Sequence, residues 1–440
     1  MIQRSAYKYL LNWKEQQRRK PLIMRGARQT GKTYLVKQLG KTFENFIVLN
    51  CEVNNEIKKI FTKDLSITRI VRDLALFTSQ EIIAGKTLLF FDEVQETPEI
   101  IQALRYFYEE MPDLYVIAAG SLLDFTLENI GVPVGRVSFL YLYPVSFFEF
   151  LTATGNSTLA EEILQHQPNE PLSEPIHNKL LDILTIYFAV GGMPEAVQCW
   201  IDTQSLAACS NIHHELINAY RQDFQKYAKK FQIKYINLLF DRIPLYQGNQ
   251  FKFSNISTDY RKRELMPCLE LLIKAQVVHL VTHSAGNGVP LGAEIDPDKF
   301  KVIFLDIALT QAILGLKSAD WLLNPQETYV NRGAIVEAFI GQELLAYSAC
   351  DMQPNLYYWQ RETRNSAAEI DYLIEKNSSV IPVEVKSGST GRLRSLHLFL
   401  QDKIKSPYGL RFYTHNYSKI DKIYSYPLYA VTVAMKNLST

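Results

Sequence analysis

The stretch PLIMRGARQTGKTYLVKQLG, residues 21–40, decides the fold of the N-terminal third. It opens with a short apolar run, passes through Gly26-Ala27-Arg28-Gln29-Thr30-Gly31-Lys32-Thr33, and continues with the spacing of an amphipathic helix. That octet matches in full the phosphate-loop pattern of glycine, four residues, glycine, lysine and a hydroxyl residue. Gly26 and Gly31 let the backbone curl so that its N–H groups, with the N-terminus of the following helix, face phosphate oxygens. Lys32 then reaches the β and γ oxygens, and Thr33 offers its hydroxyl to Mg²⁺. Residues 26–33 are therefore expected to bind ATP.

Such a site needs an acid at the end of a buried strand, and KTLLFFDEVQETPEI, residues 86–100, supplies one. Asp92 is expected in the Mg²⁺ shell beside Thr33, and Glu93 is expected to activate the attacking water. Two more strands fit the same open sheet, NFIVLNCEV ending near Asn50 and LYVIAAGSLLDF with Ser121 just past its end. Strand ends line the ligand crevice of such sheets, so both side chains are candidates for the water or the γ-phosphate. A turn or capping role stands equally for each.

The succession of the phosphate loop, LLFFDE, AAGS and GVPVGRVSFLYLYPVSFFEFL resembles a prokaryotic AAA+ group. In that group a P-loop domain is followed by a winged helix and a nuclease-like domain, and the resemblance spans essentially the whole chain. It implies that Ser121 corresponds to the sensor-1 polar residue and Asn50 to the residue that restrains the catalytic glutamate. It also makes Arg136 a candidate arginine finger. A finger acting in trans requires a homo-oligomer, and a carboxylate partner within the fold is the competing role for Arg136. The expected class is α/β: an AAA+ P-loop domain at 1–150, a linker and helical lid at 151–230, a winged-helix-like domain at 231–310 and a restriction-endonuclease-like domain at 325–435.

Between Leu151 and Pro175 the sequence is polar with little periodicity and reads as a loop or linker. NKLLDILTIYFAVGGMPEAVQCWIDT then returns to helical spacing, broken at Gly191-Gly192 with Pro194 beyond. The resemblance makes it the lid; the break itself is assigned no catalytic role. A long helix is expected over 212–234, where Arg221, Lys226, Lys229, Lys230 and Lys234 form either a solvated face or a phosphate contact. Helix, turn, short helix and longer helix then lead to two strands, the second read as KFKVIFLDIAL. Arg261, Lys262 and Arg263 open the candidate recognition helix, so DNA is one expected partner and a protein the other.

In AEIDYLIEKNSSVIPVEVKSG, residues 368–388, acids and a lysine stand on an apolar, alternating background. Period-two alternation puts Glu384 and Lys386 on one face, and a twisted hairpin brings Asp371 to them. Two close carboxylates repel unless they share a divalent cation, and Mg²⁺ prefers such oxygen ligands. With Glu337 from GAIVEAFIGQELLAYSA as an extra acid, Asp371 and Glu384 form the expected metal set, and Lys386 would orient or activate water. Two readings stand for this domain: metal-dependent nucleic-acid cleavage, or a nucleotide-controlled switch or scaffold whose C-terminal domain binds a partner without cutting. Alternating VEVK is also what any half-buried strand looks like.

The 440 residues carry 47 Lys+Arg against 46 Asp+Glu, so the net charge of +1 exerts no global pull toward nucleic acid or membrane. Five scattered cysteines lack zinc-site spacing and are expected as reduced thiols. No apolar run approaches the roughly 20 residues of a membrane span, and the N-terminus lacks a signal pattern, so a cytoplasmic protein without a membrane partner is expected.

Overall fold

The computed structural model describes residues 2–439 except 122, 124, 126, 128–130, 132, 134, 167–168, 362–367 and 389–392. Its first sheet contains β1 (Leu22–Arg25), β2 (Asn45–Asn50), β3 (Thr87–Asp92), β4 (Tyr115–Ala119) and β5 (Ser138–Tyr141). All neighbours run parallel, in the order β2-β3-β4-β1-β5. Parallel neighbours need crossover connections, and helices such as Lys32–Gly40 and Glu99–Glu110 provide them on both faces. Alternation along the strands then divides the core. Ile23, Leu89 and Phe91 pack on one side with Phe107, while Met24, Phe90 and Ile117 pack on the other with Leu35 and Trp13. Every residue of β3 is buried, which explains its continuous apolar run up to Asp92.

The stretch expected to be a linker is instead helical at Phe147–Ala153 and Ser157–Gln165. The first helix is fixed by a capping box: Glu149 N donates to Ser146 Oγ at 3.3 Å, and Ser146 N donates to Glu149 Oε2 at 3.1 Å. In the second, only Ala160 and Ile163 are buried, too few to announce a helix in a polar sequence. Helices Glu174–Val190 and Pro194–Thr203 flank the expected Gly-Gly-x-Pro break. The long helix covers Leu206–Tyr227, earlier than expected, because Ser205 Oγ caps it by accepting from Ala208 N at 3.2 Å.

Helices Ile233–Arg242, Phe253–Ile256 and Lys262–Lys274 precede the antiparallel pair β6 (Val278–Ser284) and β7 (Ile295–Phe304). The second expected strand ends early. Asp306 accepts from Ala308 N at 2.8 Å and Leu309 N at 3.0 Å and so starts the helix Ile307–Ile313. β6 also pairs in parallel with β8 (Leu356–Gln360), so the hairpin is not the edge of a free-standing unit. It belongs to an eight-stranded sheet with β9 (Glu369–Lys376), β10 (Ser379–Lys386), β11 (Gly409–Tyr413), β12 (Ser418–Ile420) and β13 (Ile423–Pro427), ordered β12-β13-β11-β10-β9-β8-β6-β7. The helix Gly333–Ala346 touches both β7 and β10 and is apolar nearly all round, as a helix enclosed by a curved sheet must be. One buried cluster contains Phe188, Leu239, Phe304, Phe339 and Phe412, tying the middle of the chain to the C-terminal sheet. Among the described residues no helix is long and apolar enough to cross a membrane, and all five cysteines are free.

Candidate functional site

The phosphate loop leaves the carboxyl end of β1, which lies between β4 and the edge strand β5. A Cβ on Gly26 would lie 2.5 Å from Leu142 O, and Gly31 sits at φ +96°, so the two loop glycines answer to space and to backbone conformation respectively. The Lys32 ammonium donates to Gly26 O and Ala27 O, each at 2.9 Å, and so lies curled inside the loop. Burial pushes its pKa down to about 8, against the pull of Glu93 and Asp92. Thr33 Oγ1 donates to Asp92 Oδ2 at 2.8 Å. Burial raises the Asp92 carboxyl above its ordinary value, and the Thr33 hydrogen bond opposes that shift.

Glu93 follows at φ +53°, a left-handed conformation at the strand end, and accepts at Oε2 from Gln95 Nε2 at 2.7 Å. Gln95 was not anticipated from sequence. Room for it comes from Gly120, where a Cβ would stand 2.3 Å from Gln95 Oε1. The paired oxygens of Thr33 and Asp92, the adjacent Glu93 and the loop lysine fit a Mg²⁺-bound nucleoside triphosphate: Thr33 and Asp92 would hold the metal, with Lys32 on the phosphates.

The helix Leu206–Tyr227 presses on this loop. Arg28 Nη1 pairs with the buried Asp223 carboxylate, Tyr220 OH donates to Arg28 O at 2.6 Å, and Lys226 Nζ pairs with Glu52 at 2.9 Å. Arg4 adds a second brace, donating to Thr30 O at 3.0 Å and pairing with Glu149 at 3.0 Å. The Gly-Gly-x-Pro break is part of the same contact. Val145 N donates to Gly192 O at 2.7 Å, and Gly192 N donates to Asp306 Oδ2 at 2.7 Å.

Asn50 lies opposite Asp92 in the β2–β3 register, but its Oδ1 accepts from Glu52 N and Val53 N, both at 3.0 Å, and shapes the turn after β2. Ser121 is buried just past β4, which runs between β3 and β1. Arg136, the candidate finger in trans, has within its own chain the carboxylate partner that was its competing role. It precedes β5 at the amino end of that strand, whereas the phosphate loop leaves the carboxyl end of the adjacent, parallel β1, and its Nε donates to Glu109 Oε1 at 2.8 Å. In the basic run, Arg221 pairs with Asp241 at 2.7 Å, Lys226 with Glu52, and Lys234 covers the Tyr235 ring at 4.6 Å. Lys262, at the start of its helix, pairs with Asp298 at 2.7 Å, and Arg261 N donates to Glu264 Oε2 at 2.9 Å.

In the C-terminal sheet the β9–β10 ladder ends at Tyr372 opposite Val383, and Asp371 Oδ2 accepts the next free amide, Val385 N, at 2.7 Å. Lys386 Nζ pairs with Glu384 Oε1 at 2.5 Å. Glu384 is buried, and among the described residues its Oε2 has no side-chain partner, while the Leu396 amide helps to stabilise the carboxylate. Burial raises the Glu384 carboxyl, with Lys386 opposing.

The surprise is Lys301 of β7, a buried cation in the apolar second half of that strand that drew no attention as sequence. Its ammonium, 2% exposed, pairs with Glu337 Oε1 at 2.9 Å and with Glu369 Oε1, and stands 3.9 Å from Asp371 Oδ1. Burial and Asp371 push the Glu337 carboxyl up to about 8 while Lys301 opposes them. Burial disfavours the Lys301 charge, yet Glu337, Asp371 and Glu369 outweigh it and hold the ammonium above the ordinary lysine value. Among the described residues no three His, Cys, Asp or Glu side chains are disposed to hold one metal ion. The residues as arranged do not fit the Mg²⁺ site expected from Glu337, Asp371 and Glu384, because an ammonium takes the place between the acids.

Residues 18–151 match the model of a family described as an AAA domain. Residues 181–320 and 332–431 match two families described as Domain of unknown function (DUF8612) and (DUF4143), the first of which runs across the expected boundary at 230/231. No curated protein matches the chain. Solved structures similar to it include the Walker-type ATPase PABY2304 of Pyrococcus abyssi, at 16% identity and TM-score 0.45, with 71% of this chain and 96% of that one covered. C. elegans PCH-2 is similar at 13% identity and TM-score 0.26, with 43% and 58% covered. The S. cerevisiae Hsp104–ADP complex is similar at 13% identity and TM-score 0.28, with 63% and 38% covered. The stretch that carries Lys32, Thr33, Asp92 and Glu93 is thus an AAA domain, and the P-loop fold expected for the N-terminal third is the one observed.

Proposed function

We propose that the protein is an ATP-hydrolysing switch whose nucleotide state is passed from the phosphate loop to the rest of the chain. With the triphosphate bound, Lys32 would leave the loop carbonyls for the phosphates, Thr33 and Asp92 would hold Mg²⁺, and Glu93 would take a proton from the attacking water. Mg²⁺, when bound, supplies charge neutralisation on the phosphate oxygens. Gln95 holds Glu93 until the triphosphate is in place.

One observation carries the switch reading: Arg28, a loop residue, is paired with Asp223 on the next region's helix. An incoming triphosphate competes for that guanidinium, so binding is felt at the helix Leu206–Tyr227. Hydrogen exchange of this helix should differ between apo, ADP and ATP forms, and phosphate release should collapse by about 10²–10⁴-fold in Glu93→Gln. Unchanged exchange across the three states would reject the switch.

The order of helices Ile233–Arg242, Phe253–Ile256 and Lys262–Lys274 followed by β6 and β7 supports a winged-helix reading of 231–310, and a protein partner is favoured because Lys262 is already paired within the chain. Helix, three antiparallel strands, helix and a parallel fourth strand support a restriction-endonuclease-like reading of 325–435. A second functional reading, DNA cleavage, is favoured by the buried Glu384 carboxylate paired with Lys386. Mg²⁺-dependent nicking that disappears in Lys386→Ala would establish it.

A further inference from the structure

The acid cluster of the C-terminal sheet already contains a cation, and that cation comes from outside the segment that supplies the acids. Lys301 is in β7, at one edge of the eight-stranded sheet, whereas Glu369 and Asp371 are in β9 and Glu337 is on the helix the sheet encloses. Curvature of the sheet brings the edge strand back over that helix, so one buried ammonium meets three carboxylates. An ammonium has three donors and no acceptor, so this environment suits it as it would suit a metal ion. The lysine stem is covered as well, and Nζ lies 5.3 Å from the Tyr358 ring centroid, a further stabilising surface for a cation.

We infer that Lys301 is the resident cation of this cluster and that, by standing between Glu337, Glu369 and Asp371, it excludes the divalent metal that a restriction-endonuclease-like domain would hold there. The inference rests on the reading of the domain's layout but not on the ATPase or switch readings. Both Asp371 oxygens bear it out: Oδ2 is engaged by Val385 N and Oδ1 faces the Lys301 ammonium. Glu337 Oε1 is likewise engaged by Lys301. A metal would have to expel a buried, multiply bonded ammonium before it could reach any of these ligands. Glu384 Oε2, without a side-chain partner among the described residues, by itself offers a single oxygen, fewer than Mg²⁺ or Mn²⁺ requires from a protein site. A domain so locked holds no divalent metal between these three acids.

The test is Mn²⁺ binding to the nucleotide-free full-length chain, followed by electron paramagnetic resonance, in an Asp92→Asn background that removes the metal ligand at the phosphate loop. With Lys301 present, no saturable Mn²⁺ site is expected. Adding Lys301→Ala should create one site per chain, and further adding Asp371→Asn should abolish it. Saturable Mn²⁺ binding with Lys301 present that is lost in Asp371→Asn overturns the inference. So does a folded Lys301→Ala chain that gains no site. Should Lys301→Ala fail to fold, the comparison of the Lys301-containing chain with and without Asp371→Asn decides alone, since absence of binding supports the inference and Asp371-dependent binding refutes it.

Discussion

Arg28 of the phosphate loop is ion-paired with Asp223, a buried carboxylate on the helix Leu206–Tyr227, and the same helix holds Arg28 O through Tyr220 OH. Burial raises the Asp223 carboxyl and Arg28 draws it back down, so the pair is mutually dependent. Asp223→Ala should lower stability by about 1–3 kcal/mol, the range for a lost hydrogen bond to a charged group, in thermal or urea denaturation. It should leave ATP hydrolysis within a few-fold of wild type while removing the ATP-dependent change in exchange of that helix. Retained coupling in Asp223→Ala would show that the signal takes another route.

Lys32 carries a pH signature. Its pKa in the folded apo chain is about 8 against an ordinary 10.5, so the folded lysine loses its proton first. Between those values the unfolded chain binds more protons, and the apo protein should gain stability as pH rises. ATP favours the protonated lysine. Its affinity should be flat below pH 8 and weaken above it by up to about tenfold per pH unit, measured by fluorescence titration with a nucleotide analogue.

Arg136 lies away from the pocket of its own chain, because it stands beside Glu109 at the amino end of β5 while the phosphate loop follows the carboxyl end of the neighbouring parallel β1. If it acts in trans, Arg136→Ala should lower phosphate release by about 10³-fold or more, as loss of an arginine finger does. Mixing Arg136→Ala with Glu93→Gln should then restore activity, since one chain keeps the finger and the other keeps the pocket. Additive, unrestored rates in the mixture would assign Arg136 to the Glu109 pair alone.

Glu343 is buried against the helix Phe147–Ala153, where its Oε1 accepts from Phe147 N at 2.9 Å. Burial pushes its carboxyl from 4.5 up to about 8. The raised value means that the folded state keeps the proton, so this group's stabilisation is intact below pH 4.5 and is lost as pH climbs toward 8. Glu343→Gln keeps an acceptor and cannot ionise. Its stability should therefore exceed wild type by about 2–4 kcal/mol near pH 8 and converge with it near pH 4, as read from denaturation midpoints.

Legibility differed sharply between the two sites. The phosphate loop was readable because its job is done by consecutive residues: two glycines, a lysine and a threonine at fixed offsets, flanked by a strand and a helix. Asp92 and Glu93 were readable from the fully apolar strand before them. Gln95 was missed because its contact with Glu93 depends on the space left by Gly120, just past the end of β4. Asn50 was expected at the polar end of its strand, where it stands opposite Asp92, and its side chain answers to the local turn. In the C-terminal sheet, strand alternation placed Asp371, Glu384 and Lys386, but it said nothing of Lys301, which reaches the acids from the far edge of the sheet. The polar stretch after Leu151 looked like a linker because a surface helix buries few residues, and only its capping box marked where the first turn begins.

What the amino-acid sequence determined by itself was the nucleotide pocket and the strand faces, because backbone curl, helix capping and period-two alternation are properties of neighbouring residues. What only the tertiary structure decided was which charges meet: Arg28 with Asp223, Arg136 with Glu109, and Lys301 with Glu337, Glu369 and Asp371. Coulomb attraction acts through space and leaves no spacing pattern along the chain, so a buried ammonium and a divalent cation could not be told apart as occupants of the acid cluster until the sheet had curved Lys301 into place.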